Sequence, residues 1–136
     1  MTRILLAFSS LVLTVGAAAH ARAFGKALAT LGAVNISHGM SGSFKALWLA
    51  DSTTCITVAV IFSFVALRPS APAGWLTMLV ALIPAATALF IYIFLGNFYA
   101  GHMLMASAAA AFIAGVILSR ADGEGSRERD PSLRSG

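Results

Sequence analysis

Asp51 is the residue best placed to do chemistry in this chain, because it is the only acid inside an apolar run long enough to cross a membrane. A charged carboxylate at the centre of a spanning helix costs about 2.5–3.5 kcal/mol on insertion scales, so such a residue marks a site by default. Trp48 and Cys55 stand at the spacing i, i+3, i+7 with it and share one helical face, flanked by Ser52 and Thr54. A plainer reading stands beside this one. Asp51 lies roughly 8 Å below the start of its apolar run at 1.5 Å per residue, where it can reach interfacial water or Lys45. Cys55 reads most simply as a small apolar packing residue.

His20, His38, Asn97 and His102 are the other groups with donor, acceptor or proton-transfer chemistry, and each stands at the edge of an apolar run or between two of them. Together with Asp51 and Trp48 they suggest a proton relay, a pocket for a polar headgroup or small molecule, or a metal site. The metal reading has no support in spacing, since no His-x-x-x-His or Cys-x-x-Cys pair occurs. Nor is there a phosphate-binding Gly-rich loop, a nucleophile elbow or a dinucleotide fingerprint. The expectation is a site of Asp51, His102, His20, Trp48 and Asn97, with no catalytic residue, metal or cofactor assigned.

The elements that must position these groups are four apolar segments, expected as helices over about 4–21, 46–67, 75–94 and 100–118. Apolar residues make up 59% of the 136 and charged ones only 10%, more apolar matter than a soluble domain of this size covers with polar surface. The apolar residues are continuous rather than alternating, which excludes barrel strands. Gly96-Asn97 predicts a tight turn, and Pro84 falls within the third helix, where it removes a backbone donor and predicts a kink. After Leu118 the composition turns polar and mixed in charge, predicting a disordered tail over 120–136. The nine basic residues are dispersed along the chain rather than clustered, so the net charge of +4 reads as a topology signal, with no nucleic-acid partner. The lone cysteine excludes an internal disulfide.

Arg3, Arg68, Arg120 and the tail arginines outnumber Arg22, Lys26 and Lys45, which predicts both termini inside and places the potential site residues toward the outer side. Trp75 at one end of the third helix, and Tyr92, Phe94, Phe98 and Tyr99 at the other, agree with interfacial aromatic belts. Ala19-His20-Ala21 resembles a signal-peptide cleavage site after a short positive and apolar stretch. The expectation is retention, since residues 22–34 can continue as a helix along the outer interface with Arg22 and Lys26 snorkelling. Ser107, Ala111 and Gly115 recur every four residues, a small-residue face for close helix packing within the bundle or against a second copy.

A histidine closing the first helix, "FKALWLADS" opening the second and "GHMLMASAAAAFIAG" in the fourth together resemble the small, uncharacterised four-span proteins of bacterial inner membranes. That resemblance implies a fold and no activity. The layout is also similar to transporters of the small multidrug-resistance type, but those rely on a membrane-embedded glutamate in the first helix. This chain has no acid there. The reading is therefore an all-α integral membrane four-helix bundle in a bacterial-type inner membrane. Its expected role is non-enzymatic, that of an accessory or binding protein in the lipid bilayer, with a second copy or another membrane protein as the expected partner. A small proton-linked transporter using Asp51 and His102 is the alternative, and a membrane enzyme or redox partner the third.

Overall fold

The computed structural model describes residues 1–34, 37–68 and 73–128, with side chains through Arg120. Four helices make up the described chain: α1 (Thr2–Ala33), α2 (His38–Leu67), α3 (Ala73–Leu95) and α4 (Tyr99–Glu128). All four are long and apolar enough to cross a membrane. No strand occurs among the described residues.

Each connection is three to five residues long, too short to run back along a helix, so neighbours in sequence are antiparallel. The helices are arranged as α2, α1, α4, α3: α1 packs on both α2 and α4, α3 packs mainly on α4, and α2 and α3 barely touch. Adjacent serines set α1 in the middle. Ser9 Oγ donates to Ser107 O at 2.8 Å and Ser107 Oγ returns a bond to Ser9 O at 3.2 Å, tying α1 to α4. Ser10 Oγ donates to Ala59 O at 2.9 Å and lies 2.7 Å from Ser63 Oγ, tying α1 to α2.

The interior is built of small residues and the exterior of large ones, the reverse of a soluble domain. Ala17, Ala59, Ala81, Ala88, Ala111 and Ala114 are buried, with Phe62, Leu6 and Leu13 as the largest enclosed side chains. Phe8, Leu11, Val60, Phe64, Leu79, Phe90 and Phe112 face outward, where a bilayer is their solvent.

Gly74 and Gly115 bring α3 and α4 into backbone contact. A Cβ at Gly115 would lie 2.8 Å from Gly74 O and 2.6 Å from Met78 Cγ, and one at Gly74 would lie 2.7 Å from Ser119 N. Gly96, the residue that turns the chain between these helices, has φ +69°, a conformation glycine adopts without steric cost. α3 passes through Pro84, which is buried and offers no N–H to the carbonyl four residues back.

Two helix bounds differ from the sequence expectation. α1 runs past its apolar stretch to Ala33, the continuation expected of residues 22–34, whereas α2 begins at His38 rather than 46, making His38 a helix residue instead of a loop one. Hydropathy marks where lipid ends, and a helix can continue beyond it: residues 22–33 hold no proline, and Ser37 caps α2 by accepting from Met40 N at 3.3 Å. The backbone of α4 likewise continues to Glu128, nine residues into the segment expected to be a disordered tail. Extending an existing helix adds a hydrogen bond per residue without a new nucleus. Residues 129–136 of that expected tail lie outside the described residues.

The two hairpins are staggered. From the Ser9–Ser107 level, α4 reaches eight residues to its start at Tyr99, while α1 reaches twenty-four in the same direction, to Ala33. At 1.5 Å per residue the α1–α2 hairpin therefore extends about 24 Å past the α3–α4 turn.

Candidate functional site

The base of that extension is where α1 and α2 bring polar groups together. His20 Nε2 lies 3.6 Å from Asp51 Oδ2, with the two side chains 32% and 40% exposed. The distance is too long for a hydrogen bond. The pair is ionic only when the imidazole carries its second proton. His20 Nε2 is itself buried and has no hydrogen-bond partner, so its bonding capacity is unspent and directed at a carboxylate.

Trp48 fixes the imidazole from the other side. Its ring stacks on His20 with centroids 4.1 Å apart and planes 13° from parallel, while its indole Nε1–H donates to the His20 carbonyl at 3.0 Å. Phe24 and Phe44 enclose Trp48 at centroid distances of 6.2 and 5.2 Å. One residue, Trp48, thus holds both the ring and the backbone of His20 in place.

Asp51 also borders a crevice between α2 and α3, with Leu13, Thr54, Cys55, Val58, Ile83, Pro84 and Thr87 around it. Its volume is about 10 Å³, room for about one water molecule. Thr54 and Thr87 spend their hydroxyl protons on Ala50 O and Ile83 O, at 2.8 and 3.0 Å, which leaves their oxygen lone pairs to accept. Ser52 likewise bonds back to Trp48 O at 3.2 Å.

Asn97 and His102 form a second cluster across the α3–α4 turn. Tyr92 Oη lies 2.9 Å from His102 Nδ1, and His102 Nε2 lies 2.6 Å from Asn97 Oδ1. A neutral imidazole protonated at Nε2 satisfies both contacts, donating to the amide oxygen and accepting from the phenol. Gly101 makes room for it: a Cβ there would come within 2.7 Å of Tyr92 Cε1. The single site expected from sequence is therefore two groups, His20, Trp48 and Asp51 on one hairpin and Tyr92, Asn97 and His102 on the other. Among the described residues no hydrogen bond or ion pair joins them.

Phe24 and Phe44 are not singled out by sequence, and Tyr92 is read there only as part of an interfacial belt. Their signal was weak, because an aromatic residue at a membrane edge reads first as an interfacial anchor. His38 lies at the distal end of α2 and joins neither group. Ser107, Ala111 and Gly115 are all buried, Ser107 against α1 and Gly115 against α3. Among the described residues, no group of three or more His, Cys, Asp or Glu side chains is gathered for a metal ion. Comparison of the chain with protein-family models, with curated proteins and with solved structures yields no match.

Proposed function

We propose that this chain is a non-enzymatic membrane binding or accessory protein whose ligand site is the His20–Trp48–Asp51 group at the end of the bundle. The observation carrying this reading is the pairing of an unspent imidazole nitrogen with a carboxylate at 3.6 Å, held by a stacked indole. A carboxylate acceptor and an unpartnered imidazole nitrogen side by side suit a small polar or cationic ligand carrying donors. The proposed setting is a bacterial-type inner membrane with both termini inside, the site facing outward, and residues 1–21 retained. The arginines of one side and the aromatic residues of the α3–α4 turn support it.

The experiment is native mass spectrometry of the purified chain against the Asp51→Asn variant. The expected result is an intact mass that includes residues 1–21 and a small ligand retained by the native chain alone. Equal retention by both would remove Asp51 from the function, and a mass beginning at Arg22 would remove the retained first segment. A reporter following Gly136 is expected to behave as internal and one inserted at Asn97 as external.

A proton-linked transporter is the second reading, favoured by the water-sized crevice beside Asp51. His102 enters it less readily, since Tyr92 and Asn97 already occupy both ring nitrogens.

A further inference from the structure

Beyond the His20–Asp51 group, the α1–α2 extension opens into a groove of about 520 Å³ between the last turns of α1 and the first turns of α2. That volume lies in the range of pockets for single small molecules, about 300–1,000 Å³. Its two walls differ in chemistry. Leu28 and Leu31 of α1, with Val34 at its C-cap, form an apolar floor, whereas His38, Ser41 and Lys45 of α2, at the spacing i, i+3, i+7, form a polar and cationic edge.

The charge on that edge has no internal counter-ion. Arg22, Lys26 and Lys45 all fall between residues 18 and 47, a stretch holding no aspartate or glutamate, and Lys45 makes no ion pair among the described residues. Leu28 lies eleven residues beyond the α1 level reached by the α3–α4 turn, which puts the floor about 16 Å or more past that turn. Half-buried Leu31 and exposed Val34 are thus carried past the lipid-facing belt, as is exposed Met40 on α2. An apolar floor with an unneutralised cation at its edge is complementary to a molecule with a tail and an anionic head. The volume is well below that of a two-chain phospholipid.

We propose that this groove binds a single-chain anionic amphiphile of the fatty-acid type, its tail on Leu28, Leu31 and Val34 and its carboxylate at Lys45 and His38. Each buried methylene contributes about 0.8 kcal/mol, so affinity rises with chain length until the floor is covered. The site is independent of the His20–Asp51 reading, and either can fail alone.

The test uses the full chain in phosphatidylcholine nanodiscs and a dodecanoate carrying a terminal diazirine, with adducts mapped by mass spectrometry. Adducts are expected on residues 28–34 and 38–45, removed by excess dodecanoate, not removed by dodecyltrimethylammonium, and reduced at least tenfold in Lys45→Glu. Lys26→Glu, outside the groove, is expected to label as the native chain does. Adducts on the lipid-facing residues 4–15 and 56–64 report that each variant remains inserted and that the probe has entered the bilayer. Labelling confined to those lipid-facing segments, equal competition by the cationic amphiphile, or unchanged labelling in Lys45→Glu would each overturn the proposal.

Discussion

The same nominal chemistry, a histidine with a polar neighbour, comes in two states of completion in this molecule. His102 is fully engaged between Tyr92 and Asn97, while His20 keeps a bare nitrogen 3.6 Å from Asp51. A double-mutant cycle separates them. His20→Ala and Asp51→Asn are expected to couple by about 0.5 kcal/mol or more, because removing either leaves the other without its neighbour, whereas Asp51→Asn and His102→Ala, with no shared partner, are expected to add within about 0.5 kcal/mol. Unfolding of the purified variants in mixed detergent measures both, and coupling of Asp51 to His102 would mean that the two clusters communicate. Trp48→Phe keeps a ring to stack but deletes the donor to the His20 carbonyl, and its expected cost is about 0.5–1.5 kcal/mol. Trp48→Leu, which also loses the stack, is expected to cost more in the same measurement.

Between helices, stability depends on how closely backbones approach. Gly115→Val would drive a side chain into Gly74 O and Met78, and overpacking of this kind costs about 1–3 kcal/mol. Gly16→Ala meets nothing within 4 Å and is expected to be neutral or mildly stabilising. A Gly115→Val variant as stable as the native chain would show that α3 and α4 part without cost. Sequence legibility divides along the same line between what a helix does alone and what two helices do together. Four continuous apolar runs and the Gly96 turn could be read because lipid and a positive φ each demand particular residue types locally. The shared face of Trp48 and Asp51 was readable from helical spacing alone. The start of α2 was hidden, since the hydropathy that reveals a span begins only at Ala46 although the helix already runs from His38. The partners of His20, of His102 and of Gly115 depend on the register of two hairpins, and periodicity along one helix carries no information about register across two.

At the scale of the whole molecule, strong packing lies within each hairpin and across one seam, α1 on α4, where Ser9 and Ser107 exchange hydrogen bonds. Bonds of this kind in membrane helices are worth about 0.6 kcal/mol on average, so Ser9→Ala is expected to weaken the union of the hairpins more than it weakens either one. The order α2, α1, α4, α3 also has a consequence for biosynthesis. Residues 1–70 complete one hairpin before any of the other emerges, and the near absence of contact between α2 and α3 means that the peptide link joining them bears little of the architecture. Two genes encoding residues 1–70 and 71–136, expressed in one cell, are expected to yield halves that insert separately and co-purify. Replacing Ser9 and Ser107 together by leucine is expected to leave both halves in the membrane as strangers.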